Sequence, residues 1–377
     1  ARPVSPLEVL IHELIKVHGP IDVATYMTLA LTHPVHGYYR TGDPLGSDGD
    51  FVTAPEISQV FGELIGLCLA DFWIRSDRPN PFRLVECGPG RGTLLGDLLR
   101  ATSHVDGFHD ALRLHLVEIN LQFRGKQAAA IRRVNSAIEP TWHDDLGQLG
   151  SGGPLLVVAN EFVDVLPIRQ YVRTKSGLVE RRISTSAAGE LVFLNDQRSL
   201  DPADMDLDEV PPGSIVEISP AREAFVARLA TLVGEHGGLA LLIDYAHDGE
   251  TVSRRGAGAL GDTFQAIHQG KKTSPLAQPG SSDLTARVDF SALAQTATAS
   301  GAISYGPVGQ GRFLRELGID ARHRGLIEAA PERAGEVSSA IERLVDPEMM
   351  GELFQVLAIT APVSPFPAGF GVQESRA

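Results

Sequence analysis

The stretch Phe82-Arg83-Leu84-Val85-Glu86-Cys87-Gly88-Pro89-Gly90-Arg91-Gly92-Thr93-Leu94-Leu95 constrains the fold more than any other part of this 377-residue chain. A short apolar strand runs into a turn with glycine at 88, 90 and 92, and leucines at helical spacing follow. Glycines remove the side chains that would hold a ligand off the backbone, and they admit positive φ. The helix after the turn aims its first N–H groups and the positive end of its dipole into the same space. A strand, turn and helix of this kind belongs to an open α/β sheet, whose ligands bind beyond the carboxyl ends of the parallel strands.

The chain downstream supplies more such ends. Leu112 to Glu118 reads as a strand ending in a carboxylate, and Gln122 to Arg133 as a helix. Pro154 to Glu161 is an apolar run that stops at Asn160-Glu161, and Gly238 to Tyr245 is another that stops at Asp244-Tyr245. Continuous runs suit strands buried on both faces of a parallel sheet. A helix over Phe290 to Ala299 and strands over Ala302 to Tyr305 and Leu353 to Ile359 continue the alternation, which predicts one α/β sheet with attachments.

Three segments read as those attachments. Helical patterns at Leu7 to Val17, at Asp22 to Leu31 and from Pro55-Glu56 through Trp73 form an N-terminal helical block; Ser5 and Glu8 supply a capping box for the first. Arg169 to Leu194 reads as short strands broken by Lys175-Ser176-Gly177 and Ala187-Ala188-Gly189, hairpin signals that predict an antiparallel β insertion. Gly249 to Thr285, rich in Gly, Ser, Pro and Arg, reads as a long loop of a kind that is usually functional or disordered. The expected division is a helical cap over 1–80, a core over 81–168 and 214–377, and a β-rich insertion over 169–213. The core includes a strand at Ser214 to Ile218 and a helix at Arg222 to Gly234.

Composition removes several function classes. A formal charge of −14 opposes a nucleic-acid partner, which needs a basic surface, and Lys271-Lys272 is the only lysine pair. Cys68 and Cys87, the only cysteines, both lie in apolar surroundings that suit buried thiols in a reducing compartment. His33 and His36 have a metal-site interval, but Pro34 breaks the helix that would align them, and no metal is expected. No apolar run reaches the roughly 18 to 20 residues of a membrane helix. The start shows no signal-peptide pattern. The expected location is therefore the bacterial cytoplasm, towards which the preference for Arg over Lys leans, or the mitochondrial matrix in a eukaryote.

The turn also says which nucleotide-like ligand it suits. Its spacing is Gly-x-Gly-x-Gly, whereas the dinucleotide fingerprint needs its third glycine one residue later, where Thr93 stands. A nicotinamide oxidoreductase is weakened accordingly, and S-adenosylmethionine becomes the better ligand. Glu118 ends the next strand, where a carboxylate accepts from both ribose hydroxyls; such a residue serves either ligand. In His143-Asp144-Asp145-Leu146 a carboxylate, Asp145, is placed to meet the adenine amino group, with a plain surface loop as the alternative. Asn160-Glu161, at a strand exit, can orient a nucleophile for attack on a sulfonium methyl.

Further stretches extend the pattern: Gly49-Asp50-Phe51-Val52-Thr53-Ala54-Pro55-Glu56-Ile57-Ser58-Gln59-Val60-Phe61-Gly62-Glu63, Asn160-Glu161-Phe162 with Asp164 and Leu166-Pro167, Asp244-Tyr245, Gly261-Asp262-Thr263, Asp283-Leu284-Thr285 and Gln310-Gly311-Arg312-Phe313. With the glycine turn they cover nearly the whole chain, and on them it resembles the MidA-like (DUF185) family of S-adenosylmethionine-dependent methyltransferases, which has mitochondrial members in complex I assembly. The resemblance implies a seven-stranded Rossmann-like methyltransferase sheet, S-adenosyl-L-methionine as cofactor, and a protein substrate methylated on arginine, a complex I type subunit in the mitochondrial members. It also implies that Gly88, Gly90 and Gly92 meet the cofactor, that Glu118 meets its ribose, and that the 249–285 loop and the helical block form the acceptor cleft; Glu86, Thr93 and Asn160 are further cofactor-binding candidates. Where the family often has an aromatic after Phe162, this chain has Val163.

A guanidinium keeps its proton up to a pKa above about 12, so carboxylates must hold it and bias one nitrogen towards the methyl. Glu161 is the first candidate, beside Asn160, with Asp164 or Glu56 as the second carboxylate. The competing expectation is an assembly factor that binds a client protein and uses the cofactor only for stability.

Overall fold

The computed structural model describes residues 4–41, 53–200, 210–247 and 259–371. Residues 49–52 of the extended motif and 249–258 of the long loop lie outside the described residues. The chain forms two compact units: one from Ala1–Phe51, Val163–Phe225 and His247–Leu293, the other from Val52–Phe162, Val226–Ala246 and Ala294–Ala377. The segment 1–80 is thus shared between them.

The second unit carries a seven-stranded sheet: β1 (Phe82–Cys87), β2 (Leu112–Val117), β3 (Pro140–His143), β4 (Leu155–Asn160), β5 (Gly238–Tyr245), β6 (Ile303–Gly309) and β7 (Phe354–Thr360). Their order is β3-β2-β1-β4-β5-β7-β6. The pairs from β3 through β5 are parallel, and β7 runs antiparallel to both β5 and β6. Strand order reverses between β1 and β4, so the crevice for a ligand opens at their carboxyl ends. Every residue of β1 is buried, as are seven of the eight in β5. Burial on both faces explains the apolar run of β5, whereas β1 buries Arg83 and Glu86 within its length.

The helix Thr93–Thr102, which leaves the glycine turn, packs on the helix Gln59–Arg75. Gly62 and Gly66 make that approach possible. A Cβ on Gly62 would stand 2.7 Å from the Asp97 Cβ and 2.9 Å from the Leu94 carbonyl oxygen; one on Gly66 would stand 2.9 Å from the Leu98 carbonyl oxygen. The helix expected to run on from Pro55 is interrupted. Ala54–Ile57 forms a separate turn, because Ser58 is extended (φ −154°) and its hydroxyl caps the next helix at the Val60 N–H.

In the first unit, helices Pro6–His18 and Val23–Thr32 are capped by Ser5 and Asp22. They bury Leu7, Ile11, Tyr26, Met27 and Leu31 in a core with Ile183 and Leu284. The antiparallel insertion is present as Arg169–Thr174, Gly177–Thr185 and Leu191–Leu200. Ile215–Ile218, assigned above to the core, pairs with Arg169–Thr174 in this sheet instead. Across that pairing the buried Gln170 amide donates to the buried Glu217 carboxylate at 2.7 Å.

The described part of the expected long loop is largely structured. Gln265–His268, Lys271–Thr273 and Asp283–Thr285 form a small antiparallel sheet. Its hairpin turns at Gln269-Gly270, both at positive φ (50° and 69°), the arrangement of a type I′ turn without the Asn or Asp that usually announces it. Among the described residues no helix is long and apolar enough to cross a membrane. The glycine seam between the helices has a measurable cost if filled: Gly62→Val should lower unfolding stability by about 1–3 kcal/mol through overpacking, read from urea denaturation, with an unchanged midpoint counting against the seam.

Candidate functional site

The carboxyl end of β1 leads into a tightly folded turn. The Gly88 N–H donates to the Val117 carbonyl at 3.0 Å, extending the β1–β2 pairing by one residue, and the Gly92 N–H closes the turn on the Pro89 carbonyl at 2.7 Å. Gly88, Gly90 and Gly92 have φ of 66°, 52° and 82°, a left-handed conformation that side chains resist. Space is equally restrictive, since a Cβ on Gly88 would meet the Phe162 ring at 2.8 Å and one on Gly92 would meet the Gln127 Cα at 3.2 Å. Gly92 is also the N-cap of the ten-residue helix Thr93–Thr102, and no side chain caps that end.

Glu118, one residue beyond β2, is 7% exposed. One carboxylate oxygen accepts from the Asn120 N–H at 2.7 Å and the other from the Gln127 side-chain amide at 3.0 Å. Burial raises its pKa, and these hydrogen bonds oppose the rise. Gln127 is fully buried and serves three elements at once. Its amide N–H groups reach Glu118 and the Gly90 carbonyl (2.7 Å), and its oxygen accepts from the Trp142 indole at 2.9 Å. Sequence reasoning passed over Gln127, yet a signal was there: Phe123, Gln127 and Ile131, spaced at i, i+4 and i+8, are the buried residues of the helix Leu121–Val134. A lone polar residue on such a stripe needs a partner.

Glu86 sits within β1 with 5% exposure. Burial, with the Glu118 charge adding to it, pushes its carboxyl up to about 8. Its Oε2 has no hydrogen-bond partner among the described residues, and neither does the buried Oδ1 of Asn160 at the end of β4. The Asn160 amide donates instead to Glu161 Oε1 at 3.3 Å.

Glu161 is the first residue after β4 and has φ +50°, one of four non-glycine residues with positive φ among the described residues. Its N–H donates to the Ile243 carbonyl at 2.9 Å, and its Oε1 accepts from the Ala54 N–H at 3.0 Å. The next N–H, that of Phe162, donates to Asp244 Oδ2 at 3.1 Å from the exit of β5, where Asp244 is fully buried. Glu56 Oε1 accepts from the Thr93 hydroxyl at 2.6 Å.

Glu86, the three glycines, Thr93, Glu118, Asn160 and Glu161 all belong to the second unit, on β1, β2 and β4 or in the segments that leave their carboxyl ends, and Glu56, on the turn Ala54–Ile57 of the same unit, joins them through Thr93. Asp145 belongs there too. It is exposed after β3, where its Oδ1 accepts from the Gly147 N–H at 2.6 Å. Asp164 falls in the first unit: its carbonyl accepts from the Ala286 N–H and the Arg222 guanidinium. Its carboxylate, with that of Asp283, raises the pKa of Tyr39, whose burial is the larger cause.

The donor and acceptor balance tests which ligand fits. Asn160 Oδ1 is a buried acceptor that needs a donor, and the unpartnered Glu86 carboxyl becomes another once a cation draws off its proton. A pyrophosphate brings only acceptors and negative charge to a place already holding Glu86 and Glu118. S-adenosyl-L-methionine brings an ammonium group, two ribose hydroxyls and a positive sulfonium, so the residues present fit it.

Comparison with known proteins agrees. A family model for S-adenosyl-L-methionine-dependent methyltransferases matches residues 64–308. The chain is 35% identical over 369 residues to mouse "Protein arginine methyltransferase NDUFAF7, mitochondrial", covering 92% of this chain and 82% of that protein. It is 34% identical to the human counterpart over 382 residues, covering 95% and 84%. A COG1565 superfamily structure from Burkholderia thailandensis bound to S-adenosyl-homocysteine superposes with a TM-score of 0.83 at 26% identity, covering 99% of this chain and 98% of that one. With the sheet order, the glycine turn and the acceptor-rich strand ends already in place, this chain belongs to that family and is an S-adenosyl-L-methionine-dependent methyltransferase.

Proposed function

We propose that this enzyme methylates an arginine of a protein substrate, with Glu161 holding the acceptor guanidinium. Glu161 carries this reading. A non-glycine residue held at φ +50° stores backbone strain, and such strain persists where a site requires it. The strain here places a carboxylate at the exit of β4, one residue from the switch point of the sheet. The names borne by the relatives support an arginine acceptor, and the family resemblance points to a complex I type subunit as the client. Their mitochondrial label supports the matrix as the working compartment of a eukaryotic enzyme.

When bound, S-adenosyl-L-methionine supplies an electrophilic methyl group on a sulfonium. The protein's work is binding and orientation. Gly88, Gly90 and Gly92 let the backbone approach the cofactor, while Glu118 takes the ribose hydroxyls and Asp145 the adenine amino group. Glu86 and Asn160 Oδ1 accept from the ammonium group. Glu161 accepts guanidinium N–H bonds, draws the positive charge to one side and leaves the opposite nitrogen the better nucleophile. Positioning and fixed charges of this kind account for most of what such a site must do.

Two outcomes check the reading. Glu161→Gln keeps the shape and removes the charge, so methylation of a client arginine, followed by mass spectrometry, should fall by about 10²-fold, the scale of one transition-state electrostatic contact. Calorimetric affinity for S-adenosyl-L-methionine should meanwhile stay within a few-fold. Equal losses of both would move Glu161 into the cofactor site.

The second outcome concerns pH. With its folded value near 8 and its ordinary value at 4.5, the Glu86 carboxyl stabilises the cofactor-free fold below the ordinary value, and that contribution is lost as pH rises through about 8. Ionised Glu86 binds the cofactor ammonium better. Affinity for S-adenosyl-L-methionine should therefore climb as pH rises towards 8 while the melting temperature of the free protein falls, and Glu86→Gln should flatten both trends. A wild-type affinity independent of pH over that window would remove Glu86 from the ammonium site.

A further inference from the structure

The helical turn Ala54–Ile57 is tied at both ends to residues of the site. At its start the Ala54 N–H donates to Glu161 Oε1 at 3.0 Å, the oxygen that also accepts from Asn160. Two residues on, Glu56 Oε1 accepts from the Thr93 hydroxyl at 2.6 Å, and Thr93 is the first residue of the helix that leaves the glycine turn. A four-residue turn has no helical stability of its own. Thr53, its N-cap residue, makes no side-chain capping bond, although its carbonyl accepts from the Glu56 and Ile57 N–H groups. Ala54 and Pro55 are buried, so the turn cannot slide without disturbing what lies against it.

A continuous circuit results. It runs from Thr93 through the Glu56 carboxylate, along the backbone to Ala54, and across to the Glu161 carboxylate. We infer that Glu56 and Thr93 are positioning residues that set the orientation of the Glu161 carboxylate, an assignment that rests on reading Glu161 as the group that holds the acceptor. The glycine helix thereby supplies the reference frame for cofactor and acceptor alike. Glu56, expected from the sequence as a second carboxylate for the guanidinium, acts at one remove because its Oε1 is engaged by Thr93. Thr93 faces Glu56 through the hydroxyl that was expected to meet the cofactor.

The circuit depends on an O–H···O bond, not on bulk or net charge, and this makes it testable. Thr93→Val and Glu56→Ala break the bond, whereas Thr93→Ser and Glu56→Gln each retain a hydroxyl donor facing an oxygen acceptor. The breaking variants should lose about tenfold in turnover, the scale of one net hydrogen bond, with affinity for S-adenosyl-L-methionine within a few-fold. The conservative variants should stay close to wild type. In the cofactor-free protein, exchange of the Ala54 amide should quicken by about the same factor in the breaking variants only, since that N–H loses the position from which it meets Glu161.

A double-mutant cycle isolates the route: Glu56→Ala placed in a Glu161→Gln background should add no further loss. Additive losses would overturn the circuit while leaving Glu161 in its role. Wild-type turnover by Glu161→Gln alone would instead sink the acceptor reading, and Ala54 exchange would still report whether the circuit exists. Unchanged Ala54 exchange in both Thr93→Val and Glu56→Ala refutes it. Should either truncation fail to fold, as shown by its melting curve, the remaining breaking variant and its conservative partner give the same decision.

Discussion

Three left-handed glycines within five residues are the constraint on which the rest of the second unit depends. Such a turn brings backbone, not side chains, to the floor of the crevice, and neighbouring elements then close on it. The Phe162 ring comes to where a Cβ on Gly88 would stand, and the Gln127 backbone comes almost as near to Gly92. The helix after the turn can lie against Gln59–Arg75 only because Gly62 and Gly66 leave room. A buried amide, Gln127, then locks the turn to the ends of β2 and β3 through three hydrogen bonds. Contacts made within the fold, by backbone and buried side chains, thus hold the turn in place, and a site held this way lowers the ordering that binding must impose.

Charge gives this rigid frame its preference. Glu86, Glu118 and Glu161 lie on or next to strand ends, with Glu56 bonded to Thr93 in the same unit, in a chain of formal charge −14. Burial opposes ionisation of Glu86 and Glu118, while hydrogen bonds to Glu118 favour it. Carboxylates under that tension respond strongly to a nearby cation, because an opposite charge recovers part of the desolvation penalty. A sulfonium-bearing amino acid and a guanidinium are both cations, so a single electrostatic bias serves cofactor and proposed acceptor together.

Much of this was legible in the sequence. β4 and β5 announce themselves as apolar runs, β2 by its alternation and β1 by the glycine turn it leads into, so these strands and the polar ends at Glu118, Asn160-Glu161 and Asp244 could be read directly. Local signals failed where the deciding interaction was non-local or the usual residue was missing. Ser58 breaks a helix that hydrophobic spacing would continue, and Gln269-Gly270 makes a hairpin turn without Asn or Asp. Ile215–Ile218 joins the smaller sheet through a pairing with Arg169–Thr174 that no nearby residue foretells. The bonds from Glu56 to Thr93 and from Glu161 to Ala54 span 37 and 107 positions, beyond any spacing rule. Gln127 lies between these cases, visible as a polar interruption of a buried stripe but with partners that only the fold discloses.

The left-handed backbone at Glu161 has a consequence for how this position can vary. Glycine would relax the backbone there at once, and asparagine or aspartate would sit more comfortably than glutamate. Drift towards higher stability would therefore steadily erode a glutamate at this site unless something else held it. On the proposed role of Glu161, homologues that methylate the same kind of acceptor should keep the strained residue at this position, and those that have abandoned the chemistry should lose it early.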